Sequence, residues 1–142
     1  MDGKCENQAY LLLMKTNKAI QERIRLEMIT NGLNVTEFSV LEVLYLNGKQ
    51  TMHQIGDSIL VSSGSLTYVI NKLEQKGLLK RNACLNDRRV IHVELTNDGI
   101  SLMNEIMPDH RNFINYMFES LNEEESQTIV KLLGKVSERV NA

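Results

Sequence analysis

Residues 51–93 constrain the fold of this 142-residue chain more than any other stretch. Apolar side chains recur there at positions i, i+3, i+4 and i+7, and these are Leu66, Val69, Ile70 and Leu73. This spacing places them on one face of a helix, which we expect to run from about residue 62 to residue 76. That apolar face must point into a core.

The opposite face of the same predicted helix is polar and has no acidic residue at its centre. Its side chains are small hydroxyls, an amide, a phenol and a lysine, from Ser65, Thr67, Tyr68, Asn71 and Lys72. Ser62 is expected to cap the helix, where the exposed N–H groups of the first turn would attract a phosphate. Polar residues more often form an ordinary solvated face. These groups can nevertheless reach phosphates and base edges, so the pattern predicts a DNA recognition helix.

A charged ribbon follows this helix. Gly77 is expected to end the helix, and extended segments at residues 78–81 and 90–95 flank a turn that contains Asp87, Arg88 and Arg89. Residues 62–89 hold six Lys or Arg residues, Arg81 among them, against two acidic residues. The rest of the chain holds ten basic and sixteen acidic residues. The segment therefore predicts a basic wing on an otherwise acidic protein, with Arg81 as a further candidate DNA contact.

Composition narrows the class of protein. One proline and 5% aromatic residues favour helices, and a pI near 5.9 argues against a surface that is basic all over. No leader or membrane-spanning segment is evident, so we expect a cytoplasmic protein without a membrane partner.

Cys5 and Cys84 form no disulfide framework or metal motif. No nucleophile–base pair, metal set or phosphate loop is present, so we expect neither an enzyme nor a bound cofactor.

Long helices are predicted on both sides of the central segment. One spans about residues 6–29, a shorter one capped by Thr36 follows, and two lie beyond residue 96, with Pro108 expected to kink the first of these. We therefore expect a mainly α fold with a small β-wing, a single domain over residues 1–142. Its winged helix-turn-helix part would span residues 33–99, flanked by dimerisation helices in residues 1–32 and 100–142. A two-fold homodimer would place its recognition helices about 34 Å apart, as a pseudo-palindromic operator in double-stranded DNA requires.

Several segments together resemble the multiple-antibiotic-resistance (MarR) family of winged-helix regulators. They are Leu33-Asn34-Val35-Thr36-Glu37-Phe38, Ser63-Gly64-Ser65-Leu66-Thr67, Leu73-Glu74-Gln75-Lys76-Gly77-Leu78, and Asp87-Arg88-Arg89 followed by Leu95-Thr96 and Gly99. The resemblance covers nearly the whole chain. It implies a homodimeric regulator, usually a repressor, that is released from DNA by a small phenolic ligand or by cysteine oxidation. Residues 34–38 and 107–110 are more similar to the branch that includes quinone-responsive repressors.

The resemblance also implies roles for individual residues. Five would face the major groove, namely Ser63, Ser65, Thr67, Tyr68 and Asn71. Lys72 would contact a phosphate, one of Arg88 and Arg89 would reach the minor groove, and Asp87 would hold the wing arginine. The ligand pocket of the family, which would take a small aromatic effector, would lie near Tyr10, Met14, Phe38 and Leu41.

Two alternatives stay open. A thiol-based redox repressor would use Cys5 or Cys84, although the peroxide-sensing branch carries its reactive cysteine near the position of Leu12 here. A winged-helix protein-interaction module would bind a protein partner and no DNA.

Overall fold

The computed structural model describes residues 7–59 and 65–142, and within these ranges it has six α-helices and a small antiparallel sheet. The helices are α1 (Gln8–Ile29), α2 (Val35–Asn47), α3 (Met52–Ser58), α4 (Leu66–Gln75), α5 (Asn97–Phe118) and α6 (Glu123–Val140). The strands are β1 (Gln50–Thr51), β2 (Leu79–Ala83) and β3 (Ile91–Leu95). The predicted mainly α fold with a small β-wing is confirmed. Cys5, Ser62 and Ser63 lie outside the described residues.

The sheet has one more strand than the predicted ribbon. Its order is β1-β3-β2, and the register between β2 and β3 pairs Leu79 with Leu95 and Arg81 with Val93. The additional strand, β1, pairs Gln50 with Val93. A strand of two residues is too short to show an alternating pattern, so the sequence could not reveal it.

Two predicted helix caps are wrong. Asn34, not Thr36, caps α2, because its side chain accepts a hydrogen bond from the Glu37 N–H at 2.8 Å while the Glu37 carboxylate accepts one from the Asn34 N–H at 2.9 Å. This reciprocal capping box needs a Glu or Gln three residues after the cap, which Thr36 does not have. Ser65, not Ser62, caps α4, since its hydroxyl accepts from the Tyr68 N–H.

The chain divides into two compact units, Met1–Asn104 and Glu105–Ala142, with the boundary inside α5. In the first unit, α2, α3, α4 and the strands surround a core of fully buried side chains that includes Phe38, Leu41, Ile55, Ile70, Leu73, Leu79 and Val93. Thr96 caps α5 as predicted, its hydroxyl accepting from the Gly99 N–H at 3.1 Å. Helix α5 continues through Pro108 to Phe118, and the predicted kink stays a prediction. Across the described ranges, every helix is too short or too polar to cross a membrane.

Candidate nucleic-acid interface

Helix α4 has one buried face and one exposed face. Val69, Ile70 and Leu73 are at most 5% exposed, as the apolar spacing predicts. The side chains on the opposite side all reach solvent, and these are Ser65, Thr67, Tyr68, Asn71 and Lys72. Tyr68 is 63% exposed although it is a large aromatic residue. The polar face of the predicted recognition helix is therefore accessible along the whole of α4.

Tyr68 and Lys72 lie one helical turn apart on this face. The Lys72 ammonium is 5.8 Å from the centre of the Tyr68 ring, within the range of a cation–π contact. The contact keeps a positive charge and a phenol together on the exposed surface. Both groups can then meet one partner that offers anionic and hydrogen-bonding atoms.

Helix α4 is held at both of its ends. At its N-terminal end it lies against α3, where a Cβ atom on Gly56 would be 3.7 Å from the Leu66 side chain. At its C-terminal end, Gly77 has a φ of +76° and donates to the Glu74 carbonyl, while the Leu78 N–H donates to the Leu73 carbonyl. These two bonds form a Schellman motif, which favours glycine at the left-handed position. The motif turns the chain from α4 into β2.

Two ion pairs also join the C-terminal end of α4 to neighbouring elements. Lys76 donates to the Glu37 carboxylate at 2.7 Å and to the Gly32 carbonyl at 2.9 Å, and the Glu37 side chain is only 4% exposed. Arg81 donates to the Glu74 carboxylate at 2.9 Å through Nη2. The Arg81 side chain lowers the pKa of Glu74, mainly through this hydrogen bond.

Neither ion pair is predicted from the sequence. From the sequence alone, Glu74 contributes only a negative charge, and Arg81 is only a candidate DNA contact. The Asn34-x-x-Glu37 spacing was a signal for the capping box and thus for a fixed Glu37 carboxylate. No comparable spacing rule predicts that Glu74 pairs with Arg81, which lies seven residues further along the chain.

The wing carries one arginine that is held and one that is not. Arg89 donates to Asp87 through its backbone N–H at 3.0 Å and through Nε at 3.1 Å, and its side chain is 90% exposed. The Arg89 side chain, and then its N–H, lower the pKa of Asp87. Arg88 is exposed and makes no hydrogen bond or ion pair with the residues that the structure describes. Asp87 thus orients the guanidinium of Arg89.

The residues proposed from the family resemblance for a ligand pocket do not form one open surface in a single chain. Tyr10 and Met14 are about half exposed on α1, whereas Phe38 and Leu41 are at most 2% exposed in the core. A cavity of about 280 Å³ is lined by none of these four residues. Its lining residues are Leu44, Tyr45, Gly48, Lys49, Glu94, Leu95 and Ile100. Cys84, the other candidate besides Cys5 for oxidation, has a free and half-buried thiol at the end of β2.

Helices α1 and α6 each expose several large apolar side chains. In α1 only Met28 is buried, and the exposed apolar residues include Tyr10, Leu11, Leu12, Leu13 and Met14. No residue of α6 is buried, and its exposed apolar residues are Val130, Leu132, Leu133, Val136 and Val140. Exposed apolar residues in such numbers are often found at interaction sites.

Comparison with known proteins decides the family. The MarR family model matches residues 33–91. The HTH-type transcriptional regulator MhqR of Bacillus subtilis (strain 168) is 45% identical to the chain over 127 residues, which cover 89% of this chain and 88% of that protein. The chain belongs to the MarR family. This MarR-family protein is accordingly a DNA-binding transcriptional regulator and not an enzyme.

Solved structures confirm the winged-helix fold of this MarR-family protein. AbsC of Streptomyces coelicolor superposes with a TM-score of 0.85 over 99% of both chains, at 20% sequence identity. BpsR of Bordetella bronchiseptica superposes with a TM-score of 0.78 over 92% of this chain and 99% of that chain, at 27% identity. The BpsR structure is described as showing how 6-hydroxynicotinic acid regulates the DNA binding of BpsR.

Proposed function

We propose that this protein is a dimeric repressor that binds a pseudo-palindromic operator in double-stranded DNA through α4 and the wing. The observation that carries the proposal is the exposed face of α4, where hydroxyls, an amide, a phenol and Lys72 reach solvent. The single acidic residue of α4, Glu74, is paired with Arg81. The helix therefore offers DNA donors and a positive charge with its one carboxylate already neutralised.

The exposed side chains divide into two groups by chemistry. Ser65, Thr67, Tyr68 and Asn71 can hydrogen-bond base edges in the major groove, and Ser63 would contribute a further hydroxyl there. Lys72 would contact a phosphate. In the wing, Arg88 or Arg89 would enter the minor groove, with Asp87 limiting the conformations of Arg89.

A second copy of the chain is the proposed cover for the apolar faces of α1 and α6. An isologous dimer buries the same patches on both subunits and generates the two-fold axis that a palindromic operator needs. Its two copies of α4 would lie one helical turn of DNA apart, about 34 Å. We infer that the dimer works in the cytoplasm, where it would meet DNA.

A small hydroxylated aromatic or quinone-like effector is the proposed release signal. The support is the described control of BpsR by a hydroxylated aromatic acid and the exposed Tyr10 and Met14 on α1. Phe38 and Leu41 lie in the core and would contact the effector only if a neighbouring element shifted to uncover them. Such a shift would give the effector a means of changing the protein conformation.

Fluorescence anisotropy with labelled duplexes from the region upstream of its own gene tests DNA binding. Wild type should bind one duplex selectively, with an affinity that falls steeply with salt. Lys72→Ala should reduce the slope of log K against log salt concentration by about 1.8, because the dimer loses one phosphate contact from each subunit. Lys131→Ala removes the same charge from α6 and should leave the slope unchanged. Equal binding to all duplexes, or none, would refute the proposal.

Release by effector is tested on the preformed complex. Addition of 6-hydroxynicotinic acid or p-benzoquinone should dissociate DNA from wild type and equally from the Cys5→Ser/Cys84→Ser double variant. Release by the quinone from wild type only would instead support the thiol switch. If a protein partner binds while every duplex fails, the winged unit is an interaction module.

A further inference from the structure

We propose that Arg81 is a positioning residue, held by Glu74, which fixes the orientation of the wing relative to the recognition helix. The inference rests on the proposed DNA binding and replaces the predicted role of Arg81 as a direct DNA contact. It concerns how the two DNA-reading elements, α4 and the wing, are kept in one geometry.

Three donors of Arg81 converge on one carboxylate. Nη2 donates to Oε1 of Glu74 at 2.9 Å, while Nε and the backbone N–H donate to Oε2 at 3.4 and 3.3 Å. The shortest contact is charge-assisted, and the use of both oxygens fixes the plane of the guanidinium. Side chain and backbone of the strand are thereby tied to the last turn of α4.

The backbone contact follows from the strand register. Thr96 donates to Leu78, and Cys84 donates to Val90, at the two ends of the β2–β3 ladder. Because hydrogen-bonded and non-hydrogen-bonded pairs alternate, Arg81 and Val93 form a non-hydrogen-bonded pair, and the Arg81 N–H points away from β3. Strand β2 is an edge of the sheet, so the Arg81 N–H faces no neighbouring strand. It donates to the Glu74 carboxylate instead.

The pair acts across a very short connection. Only three residues, 76–78, join α4 to β2, and the Schellman motif already fixes their path. Glu74 and Arg81 add a second link between the same elements, so the wing strands cannot pivot about Gly77 without breaking it. Both side chains are only about one-third exposed, which leaves the Arg81 guanidinium directed at Glu74 and not extended into solvent.

Removal of Glu74 gives results of opposite sign for the two roles of Arg81. If Arg81 contacts a phosphate, Glu74→Ala removes a nearby negative charge and should strengthen DNA binding. If Arg81 positions the wing, Glu74→Ala should weaken binding by roughly tenfold, which is within the range of coupling between contacting residues. Arg81→Ala should weaken it equally, and the double variant should be no weaker than either single variant.

The salt dependence and a conservative variant separate the roles further. For a positioning residue, Arg81→Ala should keep the wild-type slope of log K against log salt concentration, whereas the loss of one phosphate contact from each subunit of the dimer would reduce it by about 1.8. Arg81→Lys keeps the charge but not the fork of donors, so it should fail to restore affinity. Lys80→Ala removes the neighbouring charge on β2 and serves as the matched control, with affinity near wild type. Stronger binding by Glu74→Ala or a reduced slope in Arg81→Ala would overturn the inference.

A measurement without DNA keeps this inference separate from the proposed function. Hydrogen–deuterium exchange of the full-length Glu74→Ala protein should be faster than wild type at the Arg81 amide and in strands β2 and β3, with α6 unchanged. Unchanged exchange in the wing would overturn the inference even if DNA binds. Faster exchange in a protein that binds no duplex would support the positioning pair and refute the proposed DNA binding.

Discussion

Lys76 and Glu37 connect the C-terminal end of α4 to the start of α2 through a 2.7 Å ion pair. The same ammonium donates to the Gly32 carbonyl, and the same carboxylate accepts from the Asn34 N–H. Both oxygens of a nearly buried carboxylate are therefore used, one for the cap of α2 and one for the C-cap residue of α4.

Loss of Lys76 should destabilise the fold. Lys76→Met leaves the Glu37 carboxylate buried without its cation, which should lower the free energy of unfolding by about 1–3 kcal/mol, because Lys76 is itself one-third exposed. Urea denaturation measures this change. Lys80→Met breaks a more exposed pair with Glu94 and should cost less than about 1 kcal/mol. Equal losses in the two variants would contradict the role given to Glu37.

Gly99 should not tolerate a side chain. A Cβ atom at this position would overlap the Leu78 carbonyl oxygen, a backbone atom in the turn between α4 and β2. Gly99→Ala should therefore lower the unfolding free energy by about 1–3 kcal/mol, measured by urea denaturation. Gly134→Ala is the control, because nothing lies within 4 Å and alanine favours a helix by about 1 kcal/mol. A neutral Gly99→Ala would refute this close approach.

The contact between Asp87 and Arg89 in the wing should depend on pH only in the acidic range. Arg89 lowers the pKa of Asp87 below its ordinary value of 3.8, so the contact stabilises the wing above that value and is lost as pH falls through the lower pKa of the folded state. An NMR titration of the Asp87 carboxyl carbon should give a midpoint below 3.8 in wild type. Arg89→Ala should raise the midpoint, and an unchanged midpoint would mean that the contact does not form in solution.

Formation of the proposed homodimer should depend on the exposed apolar face of α6. Sedimentation analysis should find a dimer for wild type, and Leu133→Asp should shift it to monomer because a charge would be buried in the interface. DNA affinity should fall as the dimer dissociates into monomers. Lys131→Asp, which changes a charged position of the same helix, should remain dimeric. A dimer that survives Leu133→Asp would place the interface away from this part of α6.

The sequence predicted the parts of the fold that depend on periodic apolar residues. The stripe Val69, Ile70 and Leu73 placed α4 correctly in the core, and the polar side chains between them identified its exposed face. Caps were less predictable because several residues near a helix start can cap it. Thr36 is a plausible cap by residue type, but Asn34 has Glu37 three residues later and makes the reciprocal pair.

The wing contacts needed three-dimensional information for a different reason. Asp87 and Arg89 are two residues apart, so their contact could be anticipated from local spacing. Arg81 finds Glu74 only because the turn at Gly77 brings the strand back beside the helix. Net charge alone made Arg81 a candidate DNA contact and gave no indication of its partner.

A DNase footprint on the region upstream of its own gene tests the central claim most directly, namely that paired copies of α4 read one operator. The expected result is a protected site with two half-sites whose centres lie about one helical turn apart. Asn71→Ala should abolish this protection while leaving the fold and the dimer intact. No protected site, or protection that persists unchanged in Asn71→Ala, would contradict the claim that α4 reads the operator.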